Sequence, residues 1–165
     1  MERGKATELA NSWYELAEGR EELAPAYGQV KGFLMNILPD DVDAGAGALV
    51  DGQPAVLALA DKAFFLATFQ KSDGTRLLTP AVERIALEPS PPSHHIRDGW
   101  RDETAGGSAS GLAAHVRAWT LTWPGGRAVS FESVVGRSVG FETGPDDAEA
   151  FGRVLAARLG WTVPD

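Results

Sequence analysis

A chain of 165 residues suits one ordinary domain with a modest extra element and is too short for two of full size. With 44% hydrophobic and 23% charged residues it has the apolar surface that folding needs, which excludes wholesale disorder. The formal net charge of −8 argues against nucleic acid and anionic membrane surfaces as partners, because both are bound through clustered cations. The acidity is shared out: residues 1–48 hold four Lys or Arg against nine Asp or Glu, and residues 49–165 hold eleven against fourteen. Without cysteine there is no disulfide staple, no thiolate nucleophile and no thiolate zinc ligand. The opening residues interleave Glu2, Arg3, Lys5 and Glu8 with no apolar run behind them, so a secretory signal is not expected and the protein reads as cytoplasmic. Membrane insertion is not expected, since the most apolar stretch, 55–69, carries Asp61 and Lys62 at its middle.

In chain order, Leu9, Trp13, Leu16 and Ala17 recur at three- and four-residue steps, which predicts a helix that Pro25 ends. Ser12 with Glu15 forms a capping box that offers a later start, leaving the boundary open on either side of Trp13. Tyr27, Val30, Phe33, Leu34, Ile37 and Leu38 repeat the pattern until Pro39, with Gly28 and Gly32 weakening it by roughly 1 kcal/mol each. Residues 40–47 are acidic, contain glycine and lack periodicity, which suits a linker. Residues 55–60 and 63–69 are apolar runs separated by Asp61-Lys62 and read as a buried hairpin. A turn at 71–74 follows, then strands at 75–79 and 82–88 with Pro80 marking a bend or an edge.

Residues 89–111 combine three prolines, paired histidines and a Gly/Ser run, and read as a long loop. From 115 to 123 the odd positions His115, Arg117, Trp119, Leu121 and Trp123 alternate with Val116, Ala118, Thr120 and Thr122, so Trp119, Leu121 and Trp123 are expected to face the core. Pro124-Gly125-Gly126 turns the chain, and 128–134 returns antiparallel with Val129 and Phe131 on one side. The last helix has Pro145 at its first position, Asp146, Asp147 and Glu149 at its positive end, Arg153 and Arg158 toward its negative end and Gly160 as cap. Its buried stripe is Ala148, Phe151, Leu155 and Leu159, and Trp161 is expected to fold back onto the same apolar surface.

The expected class is therefore α+β: N-terminal helices, an antiparallel, strongly bent or barrel-like sheet, and a C-terminal helix capping it. The expected division is a helical segment and linker over 1–47 and a β-barrel domain over 48–165. Through the hairpins 55–69 and 115–134 and the closing segment 145–161, residues 48–161 resemble a bacterial pleckstrin-homology-like domain. That resemblance implies a barrel-like sheet plugged by the helix and a role in binding or scaffolding rather than catalysis. The basic first hairpin loop with which lipid-binding members grip phosphate corresponds here to Asp61-Lys62, which has no net charge, so phosphoinositide binding does not carry over.

Catalytic motifs fail on context. Gly136-Arg137-Ser138-Val139-Gly140 matches G-x-S-x-G, but no helix starts directly after the serine and no histidine lies downstream. Gly45-Ala46-Gly47 has Val50 where a dinucleotide fingerprint needs its third glycine, and no phosphate-binding Lys-Ser or Lys-Thr follows a glycine. His94, His95 and His115 with Asp98 are the only set suited to a metal, and would support metal-assisted hydrolysis. No cofactor is expected. The leading expectation is a non-enzymatic protein-interaction or scaffolding module, bacterial and cytoplasmic, and the alternative is a small-molecule or lipid-binding barrel with 89–111 as its lid. The expected interaction surface is the helical stripe Leu9, Trp13, Leu16, Val30, Phe33 and Ile37, meeting a protein partner or a second copy, with Arg97, Trp100 and Arg101 as further candidates because aromatic and arginine side chains dominate interface hot spots.

Overall fold

In the computed structural model Ala6, Leu9, Ala10, Trp13 and Ala17 form the buried face of a helix, α1 (Arg3–Ala17), as their spacing predicts. The structure describes residues 1–17, 27–71, 74, 77–102, 113–137 and 147–164; of these, 101, 102, 113, 114, 136 and 137 are described by backbone alone. The chain divides into two units, Met1–Pro91 and Pro92–Asp165. Pro25, the expected helix stop, lies outside the described residues. Ser12 does not cap a helix start. It sits inside α1, and its hydroxyl accepts a hydrogen bond from the backbone N–H of Gly47 at 2.8 Å.

The first unit continues with α2 (Tyr27–Ile37), β1 (Ala44–Val50), β2 (Gln53–Leu59), β3 (Ala63–Lys71) and β4 (Leu78–Ala86). The strands lie in the order β4-β3-β2-β1, each pair antiparallel. β1 takes over half of the expected linker, because Gly45 and Gly47 let α1 lie directly on the strand. A Cβ on Gly47 would fall 2.6 Å from backbone atoms of Ser12 and Trp13, and one on Gly45 would fall 2.7 Å from Leu9 Cδ2. The β1–β2 turn is Asp51-Gly52, both at positive φ, the geometry of a two-residue hairpin. β4 runs through both expected strands, 75–79 and 82–88, from Leu78 to Ala86 with Pro80 inside it, residues 75 and 76 lying outside the described residues; a proline is tolerated there because β4 ends the strand order. The expected hairpin 55–69 is β2 and β3, whose apolar runs are buried on both faces.

Val56 and Ala58 of β2 and Phe65, Ala67 and Phe69 of β3 alternate toward the helices and close one core with Trp13, Val30 and Leu34. Trp13 meets Phe69 edge to face at 5.7 Å, and Phe33 stacks on Phe69 at 6.3 Å. The helices expected as a separate segment thus share their core with the strands that follow, and the chain divides at Pro91 and Pro92.

The second unit comprises β5 (Ser93–Asp102), β6 (Ala113–Thr122), β7 (Ala128–Arg137) and α3 (Asp147–Leu159), with strand order β7-β6-β5, all antiparallel. β5 occupies residues 93–102 of the expected loop 89–111, whose residues 103–111 lie outside the described residues. Its composition is poor for a strand, but ten residues find register with β6, and pairing overrides local preference. Trp119, Leu121, Trp123, Val129 and Phe131 are buried as their alternation predicts. α3 seats on them through Ala148, Phe151, Gly152, Leu155 and Ala156: Phe131 meets Phe151 edge to face at 5.9 Å, and a Cβ on Gly152 would fall 2.5 Å from the Trp119 ring. Gly160 at positive φ ends α3, and the Trp161 N–H reaches back to the Ala156 carbonyl at 2.8 Å, a Schellman closure. Trp161 itself stacks on His94 of β5 at 4.2 Å. The α+β class holds, with helices before the strands and one after. Within neither unit does the sheet close on itself into a barrel.

Candidate functional site

The alternation along β6 places Arg117 on the same face as Trp119 and Leu121, so a guanidinium enters the apolar side of the sheet and has to be neutralised there. Arg117 is 0% exposed. Its Nε donates to Asp98 Oδ1 at 2.9 Å, its Nη1 donates to Glu149 Oε1 of α3, and its Nη2 donates to the carbonyl of Pro164. Asp98 faces Arg117 because the two are register partners between β5 and β6. Glu149 also accepts from Ser133 at 2.7 Å and from Arg153 at 3.1 Å, while Ser133 accepts the indole N–H of Trp119 at 2.9 Å. The hydrogen bond from Arg117 holds the Asp98 carboxyl below its usual 3.8 against an opposing effect of burial, and His115, 3.5 Å away, acts in the same direction as Arg117.

This network is saturated. The guanidinium has a partner at each of its three nitrogens, one of them the Pro164 carbonyl, and the Ser133 hydroxyl is held between an indole and a carboxylate, so Ser133 is not poised as a nucleophile. What it does is lock β5, β6, β7 and α3 together at one place. Beside it Trp100, 67% exposed, stacks on its cross-strand partner His115 at 5.2 Å. Arg97 is exposed on the same strand, and a shallow groove of about 280 Å³ runs past Arg97, Gly99, Trp100 and Glu132. Arg101 belongs to β5 by its backbone, and its side chain lies outside the described residues.

The metal set does not converge. His94 and His95 occupy successive positions of β5 and face opposite sides of it. His94 stands four residues from Asp98, roughly 13 Å along a strand. Only Asp98 and His115 meet, and among the described residues no group of three or more His, Asp or Glu is placed to hold a metal. Ser138 of the G-x-S-x-G match lies outside the described residues.

The helical stripe is also relocated. Leu9, Trp13 and Val30 are fully or almost fully buried in the core of the first unit, Phe33 and Ile37 pack against it, and Leu16 is half-buried. Leu9, Trp13 and Val30 of the stripe are taken up by intramolecular packing, because the glycines of β1 admit α1 at backbone distance, while Leu16, Phe33 and Ile37 keep part of their surface exposed. Ile37 also lines an open cleft of about 600 Å³ beside the β2–β3 turn, where Asp61, Lys62 and Arg84 mix charge signs without converging.

Arg117, Glu149 and Ser133 were not singled out by sequence. The signal for Arg117 was present: it is the one always-charged side chain at an odd position between His115 and Trp123, on the face that three large apolar residues assign to the core. Its partners come from sequence separations of 19 and 32 residues, which no local pattern encodes. No helix among the described residues is long and apolar enough to cross a membrane. Comparison with protein-family models, curated proteins and solved structures found no match.

Proposed function

We propose that this protein is a non-enzymatic interaction module, cytoplasmic and akin in plan to pleckstrin-homology-like domains, that engages a protein partner through the exposed end of β5. The observation that carries this reading is Trp100: a large aromatic ring two-thirds exposed on a strand that ends the sheet order, beside an exposed arginine. Exposed tryptophan with arginine is the composition of interface hot spots, and a terminal strand offers backbone groups to an added strand. The Asp98–Arg117–Glu149 clamp supports the reading by fixing the strand that carries Trp100, so that less side-chain and backbone freedom is lost on binding. The likeness in plan rests on the β6–β7 hairpin followed by a helix seated on Trp119. The small-molecule barrel reading gains no support, since the strands do not close into a barrel and the face of β2 and β3 toward the helices is filled by side chains.

The test is site-specific photo-crosslinking in the source cell, with the reactive residue placed at position 100 and, as control, at Val154, an exposed apolar position on α3. A discrete crosslinked species from position 100 and none from position 154 is expected; a species of twice the chain's mass would identify the partner as a second copy. The same pattern from both positions, or none from position 100, would reject the reading.

A further inference from the structure

The segment after α3 has no regular structure of its own, yet it is pinned at both ends. Trp161 stacks on His94, and three residues later the Pro164 carbonyl accepts from the buried Arg117. On the sheet His94 pairs with Leu121 and Asp98 pairs with Arg117, so the two anchors are four strand positions apart, roughly 13 Å. Three residues of extended chain reach about 10 Å, and the side chains of Trp161 and Arg117 cover the rest. The segment therefore takes a nearly extended course between its two anchors on the β5–β6 pair. It is recognised by one aromatic contact and one charge-assisted hydrogen bond to backbone. Arg117 needs this carbonyl: Asp98 and Glu149 leave Nη2 with only a long contact of 3.5 Å to Asp98.

We propose that the surface formed by His94 and Arg117 is a peptide-binding site, occupied in cis by the chain's own residues 161–164. In trans it takes an extended peptide of the same chemistry, an indole followed three residues later by a free backbone carbonyl. The inference goes beyond the Trp100 reading and does not depend on it. A tether this short holds the resident segment at an effective concentration on the order of millimolar or above, so a peptide in trans binds only when the aromatic anchor in cis is weakened.

The experiment uses the full chain carrying Trp161→Ala and a fluorescently labelled Gly-Trp-Thr-Val-Pro amide, read by anisotropy. The peptide is expected to bind Trp161→Ala at least tenfold more tightly than the unaltered chain. Binding should be lost when the peptide's Trp is replaced by Ala, or when His94→Ala is added to the protein. Equal affinity for altered and unaltered chains, no binding to folded Trp161→Ala at millimolar peptide, or binding indifferent to the peptide's Trp would overturn the proposal. Where Trp161→Ala fails to fold, Trp161→Leu, which retains an apolar contact but cannot stack on an imidazole, is judged by the same criteria.

Discussion

Arg117 shows how one side chain can set the requirements of a whole face. Removing it takes a charged partner from Glu149, which is largely buried, and from Asp98, which water still reaches, and losing hydrogen bonds between charged groups costs about 1.5–3 kcal/mol. Arg117→Met is therefore expected to lower urea stability by that order, and a loss below 1 kcal/mol would show that water or Arg153 takes over. Asp98 adds a pH dependence. Its pKa is lowered in the folded chain, so its stabilisation is complete above the usual carboxylate value and is lost as pH falls through the depressed one. Asp98→Asn should accordingly reduce the melting temperature at pH 7, with a gap to the unaltered chain that closes below about pH 4; a gap that stays constant contradicts the assignment. The glycines of β1 make a second residue-scale test. Gly47→Ala drives a methyl into helix backbone, which cannot yield, while Gly45→Ala meets the mobile end of Leu9 as its nearest neighbour. Chemical denaturation should show a loss of about 3 kcal/mol for the first and about 1 kcal/mol for the second, and the reverse ranking would mean that α1 does not rest on Gly47.

Among the elements, the sequence spoke most clearly where periodicity was strong. α1, α2, the β2–β3 hairpin, the β6–β7 hairpin and α3 were all legible, because one-sided burial writes a period of 3.6 or 2 into apolar positions. β1 was not legible: its alternation is of glycine and alanine, which carry almost no hydropathy contrast, and its role is to be approached closely rather than to bury side chains. Its one local signal is the Asp51-Gly52 turn, since Asp-Gly favours a two-residue hairpin. β5 was unreadable for another reason, since most of its side chains are exposed and its strand character exists only through β6. The helices' role is testable at this scale. Deleting residues 1–44 uncovers Val56, Ala58, Phe65 and Phe69, so the truncated chain is expected to aggregate or to lose its cooperative melting transition. A soluble, cooperatively melting truncation would show that the core does not need α1 and α2.

For the molecule as a whole, composition sets colloidal behaviour. The net charge of −8 at pH 7 and an isoelectric point near 4.9 predict that light scattering from a concentrated solution rises steeply near pH 5 and falls again toward pH 7, as self-repulsion vanishes and returns. Scattering flat across this range would contradict it. Class, helix positions, the two apolar hairpins and the acidic balance were determined by the sequence alone, because each is a property of local spacing or of a sum over residues. The candidate site was half legible: Trp100 and Arg97 stood out by residue type, whereas the clamp beneath them joins residues 98, 117, 133, 149 and 164 from four elements and the segment after α3. Whether the helical stripe faced a partner or the chain's own strands was likewise a tertiary decision. An amphipathic face states that it will be covered and not by what, and the answer lay in how closely two glycines of a distant strand let a helix approach.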